Sequence, residues 1–171
     1  MNKTVRIALV ALLCVGAAAC SKKAVKPTPQ PQAPVDNGAV TQPDNNAGKY
    51  QLGDLEKDAC LRQRVVYFDF NKTEIKPEFQ QIVACHAKYL QDRPTSQMRL
   101  EGNTDERGTR EYNLGLGERR AKAVSDALTA AGGSASQISV ISYGKEKPVC
   151  REHNEDCWSK NRRVEIVYTA E

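Results

Sequence analysis

The sequence predicts an α/β fold, with helices packed on a small mixed four-stranded sheet in the order strand, helix, strand, helix, strand, short helix, strand. Three observations predict it. The run VVYFDF at residues 65–70 is β-branched and aromatic, as a buried strand is. Two later segments repeat apolar residues at helical spacing. The closing stretch RRVEIVY at residues 162–168 alternates with the two-residue period of a strand. Strands and helices alternating along one chain make a layered α/β domain.

Each element has its own signal. The first strand is bounded by charges and by Asn71. Pro77 then stands where a helix begins, because its missing N–H would be unpaired there in any case. Phe79, Ile82, Val83, His86 and Leu90 recur at helical spacing until Pro94 stops the pattern. QMRLEG, residues 97–102, reads as a second strand with Met98 and Leu100 on one face. A second helix is expected from about Thr109 to Ala131, ended by Gly132 and Gly133. At 100° per residue, Leu114, Gly117, Ala121, Val124, Leu128 and Ala131 fall on its core stripe. SQISVISY, residues 136–143, is the third strand. In the fourth, Arg162 shares a face with Val164, Ile166 and Tyr168, and Arg163 faces away.

These elements occupy only the C-terminal part of the 171 residues. Lys3 and Arg6 precede the apolar run IALVALLCVGAAA, which is too short to span a bilayer and ends in small residues. Residues 1–19 therefore read as a signal peptide. Ala17, Ala18 and Ala19 before Cys20 resemble the lipobox of bacterial lipoproteins, which makes Cys20 the expected lipid anchor. Cys14, behind the bulky Leu12 and Leu13, does not fit that pattern. Residues 20–49 are rich in Pro, Gln, Asn and Ala and are expected to form a disordered tether. Roughly 30 such residues span about 30 Å if flexible. Residues 50–171 have the size of one domain. From Tyr50 onward 19 Lys and Arg face 19 Asp and Glu, so the chain's formal charge of +4 belongs to the N-terminal segment. A domain without a basic face is not built for nucleic acid.

Four cysteines fall in the domain, Cys60, Cys85, Cys150 and Cys157, and an exported chain meets an oxidising compartment. Three pairings are possible. Closing Cys150 on Cys157 would staple the polar loop REHNED, which by elimination would leave Cys60 for Cys85. The close Cys pairs or His spacing of a zinc site are missing.

The densest charge lies in LEGNTDERGTREYN, residues 100–113, where a strand end runs into the second helix. Asp105 sits just past the strand. Asn113 and Arg120, seven residues apart, lie on the rim of the helix core stripe, and Arg119 points to solvent. A carboxylate, an amide, a guanidinium and the free N–H groups of a helix start thus converge. Such a set suits a ligand carrying both an ammonium, for Asp105, and a carboxylate, for Arg120 and the helix. The spacing equally allows Asp105 and Arg120 to pair with each other and cap the turn. Arg162, aimed at an apolar layer, also needs a partner.

VYFDFNKTEI, LEGNTDERGTREYNLGLGERRA, ISYGKEKP and SKNRRVEIVY, in this order and spacing, resemble the OmpA C-terminal-like family, over nearly all of residues 60–168. The lipobox and tether agree with its lipid-anchored members. The resemblance implies an OmpA C-terminal-like sandwich that binds peptidoglycan noncovalently through the diaminopimelate of the stem peptide. It carries the binding role to Asp105, Asn113 and Arg120, to Arg162 as the first arginine of NRR, and to Asn71 at the end of the first-strand motif. It implies no cofactor or metal, anchorage in the outer membrane, consistent with Ser21 rather than an aspartate after Cys20, and TolB and the other Tol components as partners. The alternative is an OmpA-like wall binder that works without Tol proteins. One departure stands at the site: the family's usual EGHTD reads EGNTD here, with Asn103 for histidine.

An enzyme would need a paired acid and base or an activated nucleophile. Glu101, Asp105 and Glu106 supply carboxylates without the rest of such a set. His86, on an apolar helix face, reads as a packed core histidine, and His153 as a solvated loop residue. GLGER at Gly115 falls inside a helix and lacks the full dinucleotide fingerprint.

Overall fold

The computed structural model describes residues 48–170. The signal peptide, Cys20 and nearly all of the tether lie outside the described residues. Four strands form one sheet: β1 (Val65–Tyr67), β2 (Gln97–Asn103), β3 (Ile138–Gly144) and β4 (Arg163–Ala170). Helices α1 (Asp54–Lys57), α2 (Gln80–Asp92), α3 (Arg110–Ala130) and α4 (Glu155–Asn161) complete the domain. The strand order is β1-β4-β2-β3. The last strand of the chain enters the middle of the sheet, antiparallel to both β1 and β2, while β2 and β3 run parallel. That insertion brings Arg162, at the head of β4, beside the end of β2 where the charged turn begins.

The core lies between the sheet and the helices α2 and α3. Val66, Leu100, Val164 and Ile166 meet Val83, Leu90, Val124 and Leu128 there. Pro77 opens a short 3-10 turn, Pro77–Phe79, that leads into α2. Thr109 caps α3, its hydroxyl accepting from the Tyr112 N–H at 3.2 Å. Two glycines set the spacing of α3 on the sheet. A Cβ on Gly102 of β2 would lie 2.0 Å from the Gly117 carbonyl oxygen, and one on Gly117 would lie 2.4 Å from Ser142 Oγ. Helix backbone and strand backbone touch directly at this point.

Two expectations shift, and a third gains detail. The first strand ends at Tyr67, not at residue 70. Phe68 still enters the core and its N–H donates to the Arg162 carbonyl, but from Asp69 the chain turns through Asn71, whose φ of 56° is left-handed. On α3 the buried stripe runs through Asn113, Leu116, Gly117, Arg120, Ala121, Val124 and Leu128. Leu114 is half-buried and Ala131 exposed, because the Gly102–Gly117 contact fixes the rotation of the helix. Arg163 does leave the core face, yet it is buried. The segment after β3 folds across the opposite face of the sheet, where Lys147 and Asn161 carbonyls accept from the Arg163 guanidinium, and Glu165 pairs with it at 2.5 Å.

Both cysteine pairs are disulfides, Cys60–Cys85 and Cys150–Cys157. The first borders a second apolar cluster of Leu55, Leu61, Tyr89 and Cys85. His86 is wholly buried beside it: its Nε2–H donates to the Gln63 carbonyl at 3.0 Å, so Nδ1 accepts from the Tyr168 hydroxyl at 2.8 Å. Burial pushes the His86 pKa down to about 4.

Candidate ligand cleft

The end of β2, the turn after β1 and the N-terminus of α3 enclose a cleft of about 160 Å³. That is smaller than the roughly 300–1,000 Å³ of a pocket for a whole drug-sized molecule. It admits the end of one side chain. Asn71, Asp105, Asn113 and Arg120 all line it, with Phe70, Arg107 and Tyr112.

Arg120 has no solvent exposure at all. Its Nε donates to the Lys72 carbonyl (2.9 Å), Nη1 to the Asn103 carbonyl (3.2 Å) and Nη2 to the Asp69 carbonyl (3.0 Å). One guanidinium thereby fastens α3 to the end of β2 and to the turn that carries Asn71. These bonds use three of its five N–H donors. Among the described residues no carboxylate lies within ion-pair distance of it. Burial lowers its pKa to about 10, opposed by the negative field of Asp105. It remains a cation at neutral pH, held by neutral carbonyls and 5.2 Å from the centre of the Phe68 ring.

Asp105 does not pair with Arg120. Its carboxylate, 4% exposed, takes bonds from Arg107 Nε (3.2 Å) and Nη2 (2.6 Å), from the Arg107 backbone N–H (3.1 Å), and from Arg162 Nη1 (3.3 Å). Burial alone would raise its pKa, but the bonds and charge of Arg107, joined by Arg162, hold it below the usual carboxylate range. Arg162 stands behind Asp105 rather than on the cleft wall, bonded also to the Phe68 carbonyl and to Glu155 at 2.5 Å. Asn113 spends its amide hydrogens on the Arg107 and Thr109 carbonyls, both at 2.9 Å, and so closes the turn. The Tyr112 hydroxyl donates to Asn71 Oδ1 across the cleft mouth.

Asn103 does not line the cleft. Its carbonyl accepts from Arg120, its amide donates to the Glu101 carbonyl, and its buried Oδ1 has no protein partner. The substitution for histidine thus acts behind the site, on the strand that seats Arg120.

A matching sequence model, for the OmpA family, covers residues 67–162. Along 98% of this chain and all of its own length, the peptidoglycan-associated lipoprotein of Haemophilus influenzae is 41% identical. That of Pseudomonas aeruginosa is 48% identical over 67% of this chain and 68% of its own. The crystal structure of the peptidoglycan-associated lipoprotein from Burkholderia pseudomallei superposes with a TM-score of 0.65 at 44% identity, covering 66% of this chain and 96% of that one. The chain belongs to the OmpA family. Within that family its relatives here are peptidoglycan-associated lipoproteins. The C-terminal domain of Helicobacter pylori MotB shares the fold at 25% identity, with a TM-score of 0.58 over 63% of this chain and 84% of that one.

The OmpA-family domain also holds residues at the site to which sequence reasoning gave no role there. Arg107 is the chief one. Its guanidinium lies between the rings of Phe70 (4.0 Å) and Trp158 (4.2 Å) while it forks onto Asp105. The two rings come from the turn after β1 and from α4, far apart in sequence, so only the fold reveals the slot. Lys145, of ISYGKEKP, pins the charged turn by donating to the Glu106 and Gly108 carbonyls. His153 is exposed yet bonded to Glu106 at 2.6 Å, and the Trp158 indole N–H meets the same oxygen at 2.8 Å. Among the described residues no helix is long and apolar enough to cross a membrane.

Proposed function

We propose that this domain binds the diaminopimelate of the peptidoglycan stem peptide in the cleft, and that the chain, anchored through a lipid on Cys20, ties the outer membrane to the wall as part of the Tol-Pal system. One observation carries the reading: Arg120 is a wholly buried cation at the cleft wall with no carboxylate partner among the described residues. Keeping such a charge out of water is costly unless an anion completes it. A ligand carboxylate at Arg120 and the α3 N-terminus, with the ligand ammonium toward Asp105, uses both poles of a cleft that fits one side chain. The names of the Haemophilus, Pseudomonas and Burkholderia relatives support the wall as the source of that ligand. The signal-peptide and lipobox pattern of residues 1–20 supports the anchor.

Co-sedimentation with purified sacculi tests it. Asp105→Ala and Arg120→Ala are each expected to stay in the supernatant while keeping the native circular dichroism spectrum, since stranding one buried charge typically costs several kcal/mol. Wild-type sedimentation by both variants would end the assignment of the cleft. Pull-down with TolB separates the Tol-dependent reading from wall anchoring alone: capture supports it, and no capture by a chain that still binds sacculi removes the Tol component.

A further inference from the structure

Resting on the reading of the cleft as a seat for an ammonium and a carboxylate, we infer that Arg107 fills the ammonium seat of the empty cleft and sets its specificity. The two poles of the site differ in one respect. Arg120 faces the cleft without an anionic partner among the described residues, whereas both Asp105 oxygens are already bonded by a cation from the chain itself. An incoming ammonium meets Asp105 only where Arg107 Nη2 now lies, 2.6 Å from Oδ2. Binding is therefore an exchange of cations at one carboxylate.

The surroundings of Arg107 favour such an exchange. Its guanidinium lies against two rings, and Phe70 as a residue is 56% exposed, so the slot opens toward solvent. Glu155 Oε2 lies 3.7 Å from Arg107 Nη2, while the other Glu155 oxygen holds Arg162. A short swing moves Arg107 from Asp105 to Glu155 and keeps its charge paired. The exchange also selects ligands. A lone ammonium gains little by replacing a forked, stacked guanidinium, because it makes no planar pair of bonds and no stack. A ligand that also brings a carboxylate to Arg120 adds the interaction that pays for the displacement. Arg107 thus rejects cations that lack the second charge.

The expected sign is opposite to that of a residue that contacts or merely props the ligand. If the filled state dominates the empty cleft by about ten to one, removing the internal competitor tightens binding about tenfold. We would measure this by calorimetry on the full chain in detergent, with a soluble diaminopimelate tripeptide and its lysine counterpart, which keeps the ammonium and lacks the carboxylate, as probes. Arg107→Gln is expected to bind the diaminopimelate peptide about tenfold more tightly and the lysine peptide measurably for the first time. Unchanged or weaker binding of the diaminopimelate peptide overturns the inference. Trp158 is the one tryptophan of the chain, which gives a readout that needs no variant. Saturating the wild-type chain with diaminopimelate peptide is expected to shift its emission as Arg107 leaves the slot, and an unmoved spectrum at saturation overturns the inference. Asp105→Ala separates the two levels: unimpaired binding there sinks the reading of the cleft itself, whereas lost binding there with weaker binding in Arg107→Gln sinks only the role of Arg107.

Discussion

The two ends of β4 hold two wholly buried side chains that can carry charge, and the fold treats them in opposite ways. At the Tyr168 end, His86 has a partner for each ring nitrogen, and burial drives its pKa to about 4, so it sits in the core as a neutral ring. At the Arg162 end, Arg120 is equally buried, but a pKa lowered to about 10 leaves it charged at neutral pH, bonded to neutral carbonyls and set against the Phe68 ring. A group that can shed its charge on burial does so and becomes structure. A guanidinium cannot, and the proposed reading of the cleft assigns the retained charge to a ligand anion.

The largest effect expected from this contrast is Arg120→Met. The substitution removes a buried unpaired cation, but it also takes the donors away from the Lys72, Asn103 and Asp69 carbonyls. The two effects on stability oppose each other and the thermal midpoint should fall only modestly, while sacculus binding falls at least about 100-fold, as loss of a desolvated charge contact of a few kcal/mol implies. A variant that loses stability and keeps binding would make Arg120 as structural as His86, and the contrast would fail.

Next in size is Gly102→Ala. The added Cβ would stand 2.0 Å from the backbone oxygen of Gly117, which cannot rotate aside. Overpacking at a backbone contact costs about 3 kcal/mol. Because α3 carries Asn113 and Arg120, lifting it from β2 should weaken wall binding as well, so denaturant midpoint and co-sedimentation should fall together. Loss of stability alone would show that the cleft tolerates displacement of α3.

Much of this was readable from the residues. Helix α3 was legible to within a residue, because Thr109 and the Gly132–Gly133 pair bound it chemically. Four of the residues that line the cleft, Asn71, Asp105, Asn113 and Arg120, were legible from helix rotation and family motif. Arg107 was not, because its environment is made by Phe70 and Trp158, which only the insertion of β4 and the placing of α4 bring to it. Arg163 leaves the core face as expected, but its burial was not legible, for a related reason. A two-residue alternation says which face a side chain leaves from, and says nothing of the segment after β3 that folds across that face. Phe70 was read as strand because its composition is strand-like, while the left-handed turn at Asn71 ends the pairing earlier.

At the other end of β4 the expected effect is a pH dependence of stability. The folded pKa of His86, about 4, lies below the ordinary value of 6.5, so the unfolded chain takes up the proton first as pH falls. The contribution of neutral His86 is complete above about pH 6.5 and is lost between there and about 4, amounting to about 3 kcal/mol. His153 has the opposite sign, its pKa raised by the bond to Glu106, but that pair is on the surface and offsets little. Urea midpoints at pH 7 and pH 4.5 should differ accordingly, and His86→Gln should flatten most of the difference. A slope that survives the substitution would move the effect to the carboxylates and leave His86 without the role assigned to it.

The smallest effect separates capping from recognition at the cleft end. Thr109→Ala removes the hydroxyl that accepts from the Tyr112 N–H and should lower stability by about 1 kcal/mol. It should change wall binding by no more than a few-fold. The bonds that shape the turn, from Asn113 to the Thr109 and Arg107 carbonyls, involve backbone acceptors that the substitution keeps. The exposed side chain of Thr109 is also absent from the residues around the cleft. A collapse of sacculus binding with only this small loss of stability would place the hydroxyl against the ligand, and would extend the anionic seat from Arg120 along the first turn of α3.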